Sequence, residues 1–589
     1  MSNESILSKS TKGVSFLIIQ QFFTKMVTFV MNSLLIRYLS PKIFGIMAFL
    51  TFLHDTCIFF SREAIRISIL RISTNNSDEN SDDNSEESEK KDVLNIKNIN
   101  KDNLQSIINF SFIPLIIAVP LSTVLFIWQY TKLNSYFKNL PHFQLSIFIL
   151  WISILLELGA EFFYNLNQYM LNYKTRSKFE GLSLTFGNFI NFITIYLTIS
   201  DNKVTRDLIS EEGLAILGFS LGKLAYSLGL LSLYYFDYAK NFKSLNKFKL
   251  RLVLIKPVIT DHSSVYGSKK TAYYFQQDIL NHFKKVYFQM CFKHLLTEGD
   301  KLIINSLCSI EEQGIYSLLS NYGSLITRIL FQPIEETTRL FLTKLFNSNS
   351  SSTTQKVFSK HTLTLSFSVV SNIIIFYLYL SIFILIFGPI NSSYLLRFLI
   401  GSKWSSTTIL ETIRTYCCYL PLLSLNGILE AFFQSVANGD EILRQSYMMM
   451  VLSGVFMLNC YVFIKMLKLS LEGLILANGI NMLLRILYCT VFISNFYKKK
   501  LPSEILNDYN IKTLFNIHKM RIISILSLFV WAFIYFFIGS FTHNFKQLLI
   551  NVLISLLLLL MMCYNEKDLI LNFIKSKKQK FKVIEKSED

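Results

Sequence analysis

Fourteen stretches of mostly apolar residues follow one another along the chain, each close to the length of a membrane-crossing helix, and nothing else limits its fold so strongly. They are 14–36, 43–61, 107–129, 143–165, 179–200, 213–236, 288–308, 313–335, 362–388, 409–433, 446–466, 471–495, 520–541 and 546–564. A helix needs about 20 such residues to cross roughly 30 Å of hydrocarbon. The stretches 288–308 and 313–335 carry charges and are the weakest of the set. Composition agrees: 51% of the 589 residues are hydrophobic and only 17% charged, where soluble domains carry about 25% charged residues. Mean hydropathy is +0.39. A soluble enzyme and a secreted module are therefore excluded. So is a nucleic-acid binder, because the charge of +18 is spread between apolar runs and not gathered on one face. The sequence predicts an all-α polytopic membrane protein with about 14 transmembrane helices.

The first stretch is read as a span and not as a signal peptide, since it is too long for an h-region, lacks a small-residue cleavage site and runs straight into the second. Lys and Arg concentrate in the segments on one side of the fourteen spans, which places both termini in the cytosol by the positive-inside rule. The basic loop 237–287, with ten Lys/Arg, is expected on that side. So is the tail with Lys575, Lys577, Lys578, Lys580 and Lys582. Both are read as topology signals that attract anionic lipid. Residues 74–92 are almost wholly Ser, Asn, Asp and Glu, and read as a disordered cytosolic insert. The loops on the other side are short; the longest, 389–408, holds the sequon Asn391-Ser392-Ser393. A membrane glycosyltransferase needs a sizeable lumenal loop with an acidic metal site, and none is present. The eight cysteines lie in or beside apolar runs without metal-ligand spacing and are read as buried small hydrophobes. No metal site and no cofactor is expected.

A weak internal repeat organises the spans. Ser40-Pro41-Lys42-Ile43-Phe44-Gly45-Ile46 and Ser309-Ile310-Glu311-Glu312-Gln313-Gly314-Ile315 share Ser, Gly and Ile at equal spacing, each at a short turn entering a helix. Glu63-x-x-Arg66 and Glu336-x-x-Arg339 echo one another further along the same helices. This predicts two parallel six-helix halves with two helices appended. The organisation expected is a first bundle over 1–236, a basic linker over 237–287, a second bundle over 288–495, and two further helices with the tail over 496–589.

Charges inside spans are costly and mark cavities or partners. Lys25, Glu157, Lys223, Glu298, Asp300, Lys301 and Arg485 lie near span centres, and Arg328 lies in the cytosolic third of its span. Arg62, Glu63, Arg66, Glu335, Glu336 and Arg339 lie at cytosolic ends. An excess of guanidinium suits a pyrophosphate, whose oxygens match a two-pronged donor. The competing account is structural: interfacial anchors and i,i+3 pairs at the ends, interhelical ion pairs at the centres. Glu63, Glu298, Glu335 and Glu336 are then cavity acids or ion-pair partners. Lys223 and Lys301 are read as snorkelling. No Gly-rich phosphate loop, HExxH or nucleophile elbow occurs, and no ATP-binding domain is present to drive pumping.

Several stretches carry a family resemblance. They are Phe29-Val30-Met31-Asn32 through Ser40, Ser61-Arg62-Glu63-Ala64-Ile65-Arg66, Leu296-Thr297-Glu298-Gly299-Asp300, and the long run Gln313-Gly314-Ile315-Tyr316 through Glu335-Glu336. Weaker similarity continues through Asn426-Gly427-Ile428-Leu429-Glu430 and Ile475-Leu476-Ala477-Asn478 to Arg485. The sequence resembles the eukaryotic endoplasmic-reticulum oligosaccharide translocation protein family, within the multidrug, oligosaccharidyl-lipid and polysaccharide flippase superfamily. The resemblance implies two six-helix bundles around a central cavity. It also implies passage of a mannose-five, N-acetylglucosamine-two pyrophosphoryl dolichol from the cytosolic to the lumenal leaflet for N-glycosylation. A non-transporting accessory role in lipid-linked oligosaccharide supply is the alternative. Arg37, Arg62, Arg66, Glu298, Arg328 and Arg485 match charged positions tied to family function. Lys25 stands where the family pattern expects Arg, which keeps the charge and loses the fork. The substrate-binding set expected is thus Lys25, Arg37, Arg62, Arg66, Arg328 and Arg485, with dolichol-linked oligosaccharide and membrane lipid as partners and no nucleic acid.

Overall fold

The computed structural model describes residues 26–69, 101–169, 173–200, 208–241, 248–255, 272–347, 360–400, 404, 408–500, 511–515 and 517–567. Lys25, the acidic insert and the basic tail lie outside the described residues, as do the side chains of Asp300 and Arg328. Among the described residues the structure is helical, with one isolated antiparallel bridge between Ile255 and Tyr273. Ten helices among the described residues are long and apolar enough to cross a membrane. The remaining four apolar stretches fall on the shorter helix Met26–Ile36 and on helices within 173–200, 277–307 and 310–347.

The chain divides into two compact units, Met1–Asn305 and Ser306–Asp589. In the first, α1 is Met26–Ile36 and α2 is Pro41–Ile69. A broken span follows, α3 Lys101–Phe110 and α4 Ile113–Lys132, where Pro114 starts the second piece. Another is α5 Phe143–Gly159 and α6 Glu161–Tyr169. Then come α7 Tyr173–Ser200, α8 Leu208–Asn241, α9 Gln277–Thr297 and α10 Gly299–Leu307. Helices α7 and α8 pack closely because glycines face each other. A Cβ on Gly187 would sit 2.7 Å from the Gly222 carbonyl oxygen, and one on Gly222 would sit 2.7 Å from Asn191 Cβ. With no hydrophobic force between helices in lipid, such close backbone contact is a main source of association.

Helix α8 runs to Asn241 and α9 begins at Gln277. Helix α9 packs in the first unit, where Ile279, Phe283 and Val286 share a core with Ala64 and Ile65 of α2 and Leu104 and Ile108 of α3. Hydropathy marks where a helix can cross and does not say which neighbour it meets. Before α9, the extended segment 249–253 is strapped to α3 by two amides one turn apart. Gln105 accepts from Lys249 N and donates to the Lys249 and Arg251 carbonyls. Asn109 accepts from Val253 N and donates to the Val253 and Tyr274 carbonyls.

The second unit begins with α11 Ile310–Ile326, which widens into a π-helical turn at Thr327–Phe331 and continues as α12 Gln332–Asn347. Pro333 has no N–H to return to the carbonyl one turn back; the Gln332 N–H bonds the Thr327 carbonyl, five residues back. Helices α13 Lys360–Leu399, α14 Ile409–Val436, α15 Gly439–Cys460 and α16 Ser470–Lys500 follow. Phe331, Tyr377, Phe432, Phe433 and Tyr497 are among the aromatics filling their common core. The last pair, α17 Ile517–Phe537 and α18 Phe545–Asn565, packs on α13 through Ile386, Ile534 and Leu558. Asn391 anchors that contact: its Oδ1 accepts from Thr542 Oγ1 at 2.7 Å and Asn551 Nδ2 at 2.8 Å. This corrects the expectation of a loop over 389–408. Helix α13 carries through Pro389 to Leu399, and the sequon asparagine is buried inside it.

The two serines of the sequence repeat have the same job. Ser40 Oγ accepts from Ile43 N and Ser309 Oγ from Glu312 N, each at 3.3 Å, so both cap the helix that follows. The second echo diverges. Arg66 lies 3.6 Å from Glu63, whereas Arg339 donates to Gln434 and Glu336 accepts from Gln332.

Candidate functional site

At one end of the first unit a single carboxylate ties three segments together. Glu212, at the start of α8, accepts from Ser40 Oγ and from the Tyr136 hydroxyl, joining three segments. Tyr136, in the short turn between α4 and α5, has its phenol pushed up to about 12 by partial burial and by that carboxylate.

From the middle of α2 to its far end the same unit is lined with charge. Asp55, at the centre of the α2 span, is 61% exposed, and Lys223 Nζ from α8 lies 3.6 Å away. A mid-span carboxylate with that exposure faces water and not lipid. Lys223 therefore answers an acid across the recess and does not snorkel. Further along α2, Arg62 donates to Glu157 Oε1 of α5 at 2.7 Å, with Glu161 Oε1 of α6 at 3.6 Å. Arg66 is gripped by Glu161 through two bonds, of 3.0 and 2.5 Å. Its guanidinium lies 3.6 Å from the ring centre of Tyr164. The break between α5 and α6 at Gly159-Ala160 lets both glutamates turn toward α2. Lining the recess from α9 and α10 are His294, stacked on Phe59 at 4.3 Å and bonded to Thr56, and Glu298 paired with Lys301 at 2.5 Å.

In the second unit a cleft of about 210 Å³ lies between α12 and α14. Glu335, Glu336 and Glu430 face it with Arg339 and Gln434. Gln434 accepts from Arg339 at 3.1 Å and donates to Glu430 at 3.2 Å, so one amide mediates between the cation and an acid. The Glu335 carboxylate lies directly on Gly427, where any Cβ would displace it. On α16, Arg485 has a buried Nε with no hydrogen-bond partner among the described residues. Arg485 stands one turn before Cys489 on that helix, and both it and Glu430 act electrostatically on Cys489.

Of the expected site residues, the structure gathers Arg62, Arg66 and Glu63 into one cluster, and Glu335 and Glu336 into another. Arg328 sits in the π-helical turn just before the second cluster, and such turns concentrate at functional sites. Arg37 is exposed just before α2, roughly 37 Å along the helix axis from Arg66. His54, Asp55 and Glu161 are not among the residues that sequence alone points to. The signal for the first two is present there, an ionisable pair at the centre of an apolar span. Glu161 follows a Gly-Ala break that hydropathy does not register.

A charged recess inside a helical membrane protein is shared by many transporters, and relatedness narrows the choice. A family described as Rft protein matches residues 9–576. The chain belongs to the Rft protein family. The Man(5)GlcNAc(2)-PP-dolichol translocation protein RFT1 of Saccharomyces cerevisiae is 54% identical over 502 residues, covering 85% of each chain. That of Eremothecium gossypii is 50% identical over 583 residues, covering 98% of each. Among solved structures, the lipid II flippase MurJ in an inward closed conformation aligns with a TM-score of 0.57 at 16% identity, over 94% of this chain and 99% of its own. At that identity the likeness speaks to fold alone.

Proposed function

We propose that this Rft family member carries Man5GlcNAc2-pyrophosphoryl dolichol from the cytosolic to the lumenal leaflet of the endoplasmic reticulum membrane, for protein N-glycosylation. The observation that carries this reading is identity of 50% or more, over nearly the whole chain, to proteins named for that translocation. The MurJ-like fold supports passage of a lipid-linked head group through protein. In this reading the chain has fourteen spans with both termini cytosolic, it needs no cofactor, and it makes or breaks no covalent bond. The heptasaccharide-pyrophosphate moves through a polar interior while dolichol stays in lipid.

The cationic groups differ in what they can offer. Arg485 keeps a donor without a partner and can bond a phosphate oxygen at once. Arg62 is held at one strong point and is 18% exposed at its side chain, so an incoming anion can replace Glu157. Arg66 has a bidentate carboxylate and an aromatic face, and we assign it to holding α6 against α2. Lys25, Arg37 and Arg328 remain in the proposed binding set by position alone, and Glu298 serves as the partner of Lys301. Protein reconstituted in liposomes with labelled lipid-linked oligosaccharide tests the reading. Faster crossing of the head group is expected. Correctly folded protein that leaves the rate unchanged would make this an accessory factor. An epitope in 74–92 should be digested by protease in intact microsomes; protection there would reverse the orientation.

A further inference from the structure

Two buried polar atoms in the first unit face each other at a distance too long for a direct hydrogen bond. His54, 1% exposed, points Nε2 at Glu157 Oε2 across 3.9 Å, and neither atom has a hydrogen-bond partner among the described residues. The other side of the imidazole explains why. His54 Nδ1 lies 3.0 Å from Asp55 Oδ1. A carboxylate can only accept, so Nδ1 carries the single proton of the neutral ring. Nε2 is then a bare lone pair aimed at a carboxylate oxygen, two acceptors set against each other. One proton on the pair turns the repulsion into a charge-assisted hydrogen bond.

The charge count agrees. Asp55, Glu63, Glu157 and Glu161 face Arg62, Arg66 and Lys223, and with His54 neutral the cluster carries one negative charge in excess. The groups around the imidazole are Asp55 and Arg62 on α2 itself, Glu157 on α5 and Glu161 on α6. Lys223 and Tyr226 approach from α8, Tyr226 within electrostatic reach of Glu157 and Arg62. His294 on α9 and Lys301 on α10 both interact with Asp55. Helix α4 brings no ionisable side chain before Tyr130, and α3 only Lys101 and Asp102, both at its first turn.

We propose that His54 and Glu157 form a proton-binding site that is coupled to anion binding at Arg62. Glu157 is the shared component: Oε1 holds Arg62 and Oε2 faces His54. A proton on the pair satisfies Glu157 from the His54 side and loosens its claim on Arg62. The freed guanidinium is then available to a phosphate oxygen. Proton and anion therefore favour each other's binding, and by linkage the effect is reciprocal. The anion half of this inference rests on the transporter reading; the proton half does not. It makes the cluster a coupling site through which proton uptake from one side and release to the other can bias the direction of transport.

Purified protein with ring-labelled histidine, in nanodiscs, tests the proton half by nuclear magnetic resonance. The His54 signal, identified by its loss in His54→Asn, is expected to pass to the protonated form in one step shared with Glu157 as the sample is acidified from pH 8 to pH 5. In Glu157→Gln that step should be displaced, because the carboxylate charge that shares the proton is gone. A His54 signal that keeps one form across that range, or whose midpoint is indifferent to Glu157→Gln, overturns the proposal. Should His54→Asn fail to fold, the histidine signal that shifts between wild type and Glu157→Gln decides the same question. Binding of inorganic pyrophosphate tests the coupling. Affinity should rise towards about ten-fold per unit of acidification in wild type, as for one linked proton, and stay flat in Glu157→Gln. Pyrophosphate bound equally at every pH overturns the coupling. Absence of pyrophosphate binding at any pH, with a titrating His54, counts against the transporter reading and leaves the proton site standing.

Discussion

At the scale of single residues, the charges inside this molecule separate into those that hold it together and those left available. Arg66 and Glu161 are nine-tenths or more buried, joined by two bonds, and roofed by Tyr164. Removing one member of such a pair strands a buried charge, which costs about 3–5 kcal/mol. Glu161→Gln is therefore expected to lower the detergent-solubilised unfolding temperature and the steady-state abundance together, as thermal-shift fluorescence and immunoblotting would record. Arg485 has a buried donor without a partner, so Arg485→Gln should leave the unfolding temperature within experimental error. Its cost should fall on anion binding instead. A lost charge-assisted bond is worth about 1.5–3 kcal/mol, or roughly ten- to a hundred-fold in the dissociation constant measured by calorimetry. Asn391 makes a third case. Its amide is engaged on both sides, by the Phe387 carbonyl and by Thr542 and Asn551, inside a helix. Endoglycosidase treatment should leave the protein's mobility unchanged, and Asn391→Ala should loosen α18 from α13.

At the scale of elements, the strap formed by 249–253 shows how side chains replace a missing strand. Gln105 and Asn109, one turn apart on α3, present donors and acceptors at the spacing of an extended chain. Seven bonds of 2.8–3.2 Å join those two amides to each other and to the backbone. With each net bond worth about 0.5–1.5 kcal/mol, the double change Gln105→Ala, Asn109→Ala should free the strap while the spans stay folded. Limited proteolysis should then cut between 248 and 274 several-fold faster than in wild type. Sequence does not disclose this feature, because an amide in an apolar run looks the same whether it clamps a chain or faces another helix. The helices themselves are legible, since a run of apolar residues bounded by charge has few other fates. The breaks are not. Gly159-Ala160 splits one span and Pro389 does not split another, and the difference lies in tertiary partners. The capped turns at Ser40 and Ser309 are legible as a repeat because a helix start needs a side-chain acceptor wherever it occurs.

At the scale of the whole molecule, two compact helical units each carry a polar lining that lipid would not tolerate. The first holds Asp55, Lys223, Arg62 and Glu157 along one recess, and the second holds Glu335, Glu336, Glu430 and Arg339 around a cleft. Family membership is legible in the motifs, and three of the charged positions they flag, Arg62, Glu63 and Arg66, meet in the first cluster. Their neighbours His54, Asp55 and Glu161 emerge only when helices distant in sequence are brought together. Polar interiors of this kind have a purpose in a membrane only if something polar enters them, and the proposed occupant is a pyrophosphate-linked head group on its way across the bilayer. The decisive quantity is the rate at which labelled Man5GlcNAc2-pyrophosphoryl dolichol crosses in proteoliposomes containing wild type or Arg485→Gln, each shown to be folded. Fast crossing is predicted with wild type, and a loss of roughly ten-fold or more in the variant at limiting lipid. Crossing no faster with folded wild type than in protein-free liposomes would contradict it.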